Sequence, residues 1–317
     1  MEKYELIIIG GGPAGITAAI YAVRREMKVL LISKDLGGQL VWAGEIENYP
    51  GFTSIMNFDL IQKWEEHLKT AGVQYKLAEV SQINKKDDGN FIVHTQKESF
   101  ESQTILITMG LVPRRLAIEG EMEFTGKGIS YCANCDGPLY RNKIVAVVGG
   151  GNAALDAAEV LSKIAKQVYL INRSDQLRAF DGLVEEVKSR QNIEVLENNT
   201  VKKITGDTAV REMVIIDNNL SEERTIKVDG VFIEIGRIAH TDLVADLVER
   251  DERLQIKIDN RCQTSTPGVF AAGDVTNVEF KQITIASGQG TVAALAAYQY
   301  LQQKKGKKIT VVFDRSK

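Results

Sequence analysis

One pattern occurs twice in this chain and limits its fold more than any other: an apolar strand, a glycine-rich turn, a helix with one apolar face, and a second apolar strand. The first copy starts at Leu6–Ile9 and turns through Gly10, Gly11, Gly12, Pro13, Ala14 and Gly15. Its helix carries Ile16, Ala19, Ile20 and Val23 at i, i+3, i+4, i+7, and Val29–Ile32 is its second strand. The second copy starts at Ile144–Val148 and turns through Gly149, Gly150, Gly151, Asn152, Ala153 and Ala154. Ala154, Ala157, Ala158 and Leu161 share one face of its helix, and Val168–Ile171 follows. Each copy reads as a βαβ unit of an α/β fold. The glycines allow a tight turn and the close approach of a pyrophosphate, whose charge meets free backbone N–H groups and the helix dipole. Two such units imply two dinucleotides, or a duplication in which one copy serves structure alone. A chain of 317 residues has room for two cores.

Between the copies stands Tyr131 Cys132 Ala133 Asn134 Cys135 Asp136 Gly137. A Cys-x-x-Cys pair closes a small disulfide ring, and the spacing commonly lowers one thiol's pKa so that it attacks as thiolate. Asp136 follows directly and can exchange a proton with a thiol if burial raises its pKa. Zinc needs two further ligands at matched spacing; Cys262, His67, His94 and His240 are unpaired, so no metal site is expected. Cys262 reads as a small core residue. Three cysteines and no export signal suggest a reducing, cytoplasmic setting. The apolar run Leu6–Ile9 stops at Gly10, too short for a signal core or a membrane span. A net charge of -3 leaves no footprint for nucleic acid, and Lys304, Lys305, Lys307 and Lys308 read as a solvated tail. A working redox pair between two nucleotide units favours two occupied sites.

Other stretches are less specific. Ser33 and Lys34 stand where a ribose-binding acid is expected after the second strand, with Asp35 close by as a ribose partner or a solvated residue. Gly37, Gly38 and Gln39, then Glu47, Asn48, Tyr49, Pro50 and Gly51, form irregular segments whose amides suit a heteroaromatic ring or phosphate. An ordinary surface loop fits them equally. Trp42 suits a cofactor stack, a core or an interface. A helix is expected over Leu60–Leu68, a small antiparallel strand set over Gln74–His94, and a strand over Thr104–Thr108 before Met109 and Gly110. Pro113 marks a domain crossing. After the Val168–Ile171 strand, Asn172 occupies the position of an NAD-selecting acid, while Arg173 and Arg178 suit a 2'-phosphate or simply solvent. Gly268–Asp274 is an apolar strand ending in Gly273 and Asp274, a pair suited to a hydroxyl-rich ligand. Lys281, Gln282 and Ile283 precede a helix rich in Ala and Gly, whose N-terminus, if aimed at a flavin ring, would stabilise charge on its reduced form.

Taken together, these motifs resemble the low-molecular-weight thioredoxin reductases across essentially the whole chain. The match is carried by Gly10–Gly15, Gly38 Gln39, Glu47–Gly51, Tyr131–Gly137, the Gly149 motif and Phe270–Val275. The resemblance implies two Rossmann-like, doubly wound, three-layer nucleotide-binding domains, the second inserted in the first. A FAD domain would span 1–112 and 244–317, and an NAD(P)H domain with the redox pair 113–243. It implies a homodimer with hinges near Pro113 and His240–Leu243. FAD contacts are expected at Gly10, Gly12, Pro13, Ala14, Gly15, Ser33, Gly38, Gln39, Asn48, Val80, Gly110, Gly273, Asp274, Lys281, Gln282 and Ile283. Nucleotide contacts are expected at Gly149, Gly151, Asn152, Ala153, Ala154, Arg173, Arg178 and Gly236.

The resemblance also implies a route: NADPH to FAD, FAD to the Cys132/Cys135 disulfide, and the dithiol to thioredoxin or another thioredoxin- or glutaredoxin-like protein. Cys135 would face the flavin, Cys132 would attack the partner, and Asp136 would be the acid/base. Three departures bear on the donor. Asn172 Arg173 Ser174 replaces the family's His-Arg-Arg, Lys281 replaces its usual Arg, and Ala239 stands where Pro is common. The segment from Lys281 to Ala294 also resembles the NADH-dependent flavoprotein subunit of alkyl hydroperoxide reductase, which keeps as the alternative a reductase of a peroxiredoxin- or glutaredoxin-like partner that takes its electrons from NADH or another donor. A dithiol oxidase or a flavin-binding redox sensor is the more distant reading; the Gly149 motif favours sustained turnover.

Overall fold

The computed structural model describes residues 1–307 apart from 43, 44 and 47, and the backbone alone at 42, 45 and 135. Glu47, Lys308 and the side chains of Trp42 and Cys135 lie outside the described residues. The chain packs as two compact units. Met1–Val41, Ile46–Val112 and the chain from Ile238 onward make the first, and the second is built on Pro113–Arg237.

In the first unit, β1 (Lys3–Gly11) is buried on both faces. Leu6 and Ile8 join one core cluster and Ile7 and Ile9 the other, as the two-residue period of a strand requires. Helix α1 (Pro13–Val23) opens with proline at its first position, where the missing N–H is no loss. β2 (Val29–Leu36) pairs parallel with β1 from Leu6↔Val29 to Ile9↔Ile32. It runs past Ile32, so Ser33 and Asp35 are strand residues. α2 (Asn57–Thr70) buries Leu60 and Leu68. The antiparallel expectation for Gln74–His94 holds only in part. β3 (Gln74–Leu77) joins β2 in parallel, because the crossover through α2 brings the chain back in the same direction. β4 (Val80–Lys85), β5 (Phe91–Thr95) and β6 (Ser99–Ile107) form the antiparallel part.

The second unit is layered. β7 (Ile129–Ser130), the four-residue helix α3 (Ala133–Asp136), β8 (Ile144–Val148), α4 (Asn152–Ser162), β9 (Gln167–Ile171), α5 (Asp181–Ser189) and β10 (Ile193–Leu196) follow in order. Next come β11 (Asn199–Gly206), β12 (Val210–Asp217), β13 (Glu223–Lys227) and β14 (Gly230–Ile233). The main sheet has the order β7-β14-β8-β9-β10 and every pair is parallel. Val145 and Val147 face the α4 side with Ala154, Ala157, Ala158 and Leu161. Ala146 and Val148 face the antiparallel β11-β12-β13 layer through Met213 and Ile215.

Contacts return to the first unit between Arg237 and Ile238, ahead of the expected 243/244 boundary. The reason is local: Val244 packs into the core with Ile7 and Ile9, and the Thr241 hydroxyl donates to Leu254 O at 2.6 Å. β15 (Val269–Ala271) then pairs parallel with β6. α6 (Ile283–Lys304) lies so close to α1 that a Cβ on Gly290 would sit 2.2 Å from Ala14 O. No described helix is long and apolar enough to cross a membrane.

Candidate functional site

The first glycine turn is shaped by close backbone approach. Gly10 has φ +114, and a Cβ there would lie 2.3 Å from Thr108 O; one on Gly15 would lie 1.9 Å from Gly10 O. Gly12 differs. A Cβ on it would meet nothing nearer than Gly38 Cα at 4.0 Å, so the turn faces open space walled by Gly38. Gly12 caps α1 without any side-chain bond, which leaves the first turn's N–H groups for a ligand. Ser33 Oγ accepts the Gly11 N–H at 2.8 Å, and the Gly37 N–H returns to Gly11 O at 2.8 Å. Asp35 accepts the Gly38 N–H at 3.2 Å.

Around this cradle the structure gathers residues distant in sequence. Gln39 Nε2 donates to Asp274 Oδ2 at 2.7 Å, and a Cβ on Gly110 would lie 3.8 Å from that same nitrogen. Gly273, at φ +78, lies against Ala14, and its N–H donates to Gln289 Oε1 at 2.8 Å. Lys281 Nζ donates to Asp274 O at 3.0 Å and Thr276 O at 2.6 Å. Burial pulls the Lys281 ammonium below its usual pKa, while Asp274 and Asp251 oppose the shift. Asn48 Nδ2 donates to Gln282 Oε1 at 3.3 Å, and Ile283 begins α6 against the cluster of Leu40, Ile46, Ile55 and Leu60. Val80 pairs with Thr95 on β4 and packs against the core. Cradle, uncapped helix and polar wall fit a dinucleotide of FAD's kind.

The second turn repeats the plan. Gly149 has φ +147, and a Cβ there would lie 2.3 Å from Glu234 O and 2.8 Å from Ala154 Cβ. Gly151 caps α4 with no side-chain bond. Asn152 and Ala153 open that helix, but the Asn152 amide is engaged: its Oδ1 accepts the Phe180 N–H at 2.9 Å. The Arg178 N–H donates to Gly150 O at 2.6 Å. The segment carrying Arg173 and Arg178 is thereby tied to the turn, with both residues exposed. Asn172 is 4% exposed and its Nδ2 donates to Ser174 O and Gln176 O, each at 2.9 Å. It holds the loop and does not stand out as a ribose reader. Gly236, at φ +95, accepts the Arg114 N–H at 2.9 Å and has open space where a Cβ would lie.

Cys132 is disulfide-bonded and half-buried. Its N–H donates to Ser130 Oγ at 3.0 Å, and its carbonyl accepts the Asp136 N–H at 3.2 Å. Asp136 is half-buried at the end of α3. Tyr131, just before, donates to Glu121 at 2.7 Å, and burial with that carboxylate pushes its pKa up to about 12. Cys262 is a free thiol in the core, pushed up to about 12 by burial and so unreactive. Glu234 belongs to no sequence motif, yet its carboxylate accepts the Ala133 N–H beside Cys132. A lone acid inside the apolar run Val231–Ile235 was the available signal.

Residues 4–290 match the pyridine nucleotide-disulphide oxidoreductase family. The chain is 38% identical to a thioredoxin reductase of Treponema pallidum, over 94% of this chain and 97% of that protein. A crystal structure of Lactococcus lactis thioredoxin reductase is 36% identical, with a TM-score of 0.83 over 95% of this chain and 99% of that one. The T. acidophilum thioredoxin reductase structure is 37% identical, with a TM-score of 0.79 over 94% of this chain and 99% of that one. With two uncapped glycine turns, a disulfide-bonded Cys132 and this breadth of likeness, the chain belongs to the pyridine nucleotide-disulphide oxidoreductases and, within them, to the low-molecular-weight thioredoxin reductase family.

Proposed function

We propose that the chain is a cytoplasmic, homodimeric flavoprotein that moves electrons from NADPH through FAD and the Cys132/Cys135 pair to thioredoxin. One observation carries the reading. The disulfide-bonded Cys132 follows β7 at the carboxyl edge of the parallel sheet in which β8, two strands along, opens the second glycine turn. Redox pair and nucleotide turn therefore share one rigid scaffold.

Bound FAD supplies the two-electron relay between a nicotinamide nucleotide and a disulfide. The protein's part is placement. Gly12 and the open end of α1 would hold the pyrophosphate, and Gln39 and Asp274, bonded to each other, would offer polar groups to a hydroxyl-rich chain. Gly151 and the open end of α4 receive the second nucleotide. Arg173 and Arg178 stand on the docked loop to meet a 2'-phosphate. Cys132 would attack the partner's disulfide, Cys135 would be the sulfur that serves a bound flavin, and Asp136 would move the proton to or from sulfur.

Anaerobic titration of the purified yellow protein tests this. NADPH at low excess should bleach the flavin, and added thioredoxin should restore it. Reduction by NADH alone would instead favour a peroxiredoxin-type partner, and no reduction by either would sink the nicotinamide route. Cys135→Ser should still be bleached by NADPH yet lose thioredoxin reduction by at least about a thousandfold. Arg173→Ala should raise KM for NADPH about tenfold and leave KM for NADH nearly unchanged.

A further inference from the structure

The carboxyl end of β14 is where the second unit's two working parts meet. β14 lies between β7, which leads to Cys132, and β8, which leads to Gly149. The next residue is Glu234. Its N–H donates to Val148 O at 2.8 Å, and its carbonyl oxygen lies 2.3 Å from where a Gly149 Cβ would be. Its carboxylate accepts the N–H of Ala133, whose nitrogen is bonded to Cys132. One hydrogen bond and one peptide unit separate the carboxylate from the disulfide cysteine.

A neutral Gln would accept the same N–H without charge. Glu brings charge to a half-buried place where disulfide reduction will create more. Arg237, three residues on and past the turn at Gly236, is the charge that bears on it. The turn after β8 offers Gly149, Gly150, Gly151 and Asn152, none of them titratable. The β7–α3 segment offers Tyr131, whose hydroxyl is held by Glu121, and Cys132 and Asp136, and the charge of Asp136 falls on Tyr140. Burial pushes the Glu234 carboxyl up to about 7, against the opposing pull of Arg237 and the Ala133 N–H.

We propose that Glu234 is a positioning residue for the redox pair, holding the start of α3 through the Ala133 N–H and setting by its charge how readily the Cys132 sulfur becomes a thiolate. The inference rests on the reductase reading only for the source of electrons. Two-electron reduction, by dithiothreitol or by the NADPH route proposed above, would break the S–S bond and leave two anionic sulfurs, each of which takes a proton from solvent where it becomes a thiol. Where the Cys132 sulfur stays a thiolate, an ionised Glu234 opposes its charge, so above neutral pH Glu234 takes from solvent the proton that this sulfur does not. Reoxidation by the partner's disulfide returns it.

The test is alkylation of Cys132 by iodoacetamide in the dithiothreitol-reduced, full-length protein across a pH series, read for that cysteine by peptide mass spectrometry. The native chain should rise in two steps, the first near neutral pH. Glu234→Gln should rise in one step and react about three- to tenfold faster at pH 8, a tenfold change being one pKa unit. Glu234→Asp, which restores charge, should return the slower rate. Equal native and Glu234→Gln profiles, or a slower Gln variant, overturn the inference. If the Gln variant does not fold, a one-step profile in the native chain overturns it and a two-step profile supports it. Alkylation needs no turnover, so the predicted profiles in a protein that cannot reduce thioredoxin sink the reductase reading and keep this one. Equal profiles in an active enzyme do the reverse.

Discussion

At the scale of single residues, the informative groups are polar side chains placed where apolar ones would pack more easily. Glu234 carries a signed prediction for stability. Its pKa rises from about 4.5 to about 7 in the folded chain, so the folded state holds its proton more tightly than the unfolded one. Stability should therefore fall as pH rises from about 4.5 through about 7, and remain lower above that. Glu234→Gln removes the dependence. By thermal melting it should match the native chain at pH 4 and exceed it at pH 8 by about 1–2 kcal/mol, less than full linkage because the group is partly solvated. The same melting difference at both pH values would show that the charge is not responsible. Glu234 was hard to read in advance because strand patterning tells which face a residue takes, and not which amide of a neighbouring segment its carboxylate will find. Glycine constraints were easier. Gly10, Gly15 and Gly149 sit where a Cβ would collide with backbone, a requirement that shows directly as glycine in the chain.

Among elements, the loop from Asn172 to Phe180 repays attention because three contacts fix it to the second glycine turn: Arg178 N–H to Gly150 O, Phe180 N–H to Asn152 Oδ1, and the Gly150–Asn172 approach. Asn172 uses both amide protons on loop carbonyls. Asn172→Asp puts a carboxylate against those carbonyls. It should cost about 2–4 kcal/mol in denaturant unfolding and should not produce an NADH-preferring enzyme. A stable variant that gains NADH preference would return Asn172 to the ribose. A Cβ on Gly150 would lie 2.2 Å from Asn172 Oδ1, so Gly150→Ala should cost about 1–3 kcal/mol alone and markedly less in an Asn172→Ala background. The strands, turns and helix faces of both βαβ units were legible because period and glycine placement are local. The parallel entry of β3 was not, since the alternation of Gln74, Tyr75, Lys76 and Leu77 marks a strand without giving its direction, which the α2 crossover sets. Strand-end counting also located Asn172 correctly while leaving its side-chain direction open.

For the molecule as a whole, the two units differ in how they are made from the chain. The clusters on both faces of the second unit's sheet draw only on residues between Pro113 and Arg237. A fragment of that span should melt cooperatively by circular dichroism with no partner present; a non-cooperative slope would mean that it depends on the rest of the chain. The first unit has no such independence. Leu6 and Ile8 share a cluster with Ala286, Ala293 and Leu301, and Ile7 and Ile9 share theirs with Val244 and Val269. β15 completes the sheet beside β6 from the far side of the insertion. During synthesis from the N-terminus, the early strands and α1 must therefore wait, apolar faces uncovered, while the inserted unit leaves the ribosome, on the order of ten seconds at ordinary translation rates. The guest finishes before its host can close, and the nascent first segment is the part of this chain that most needs a chaperone's shelter.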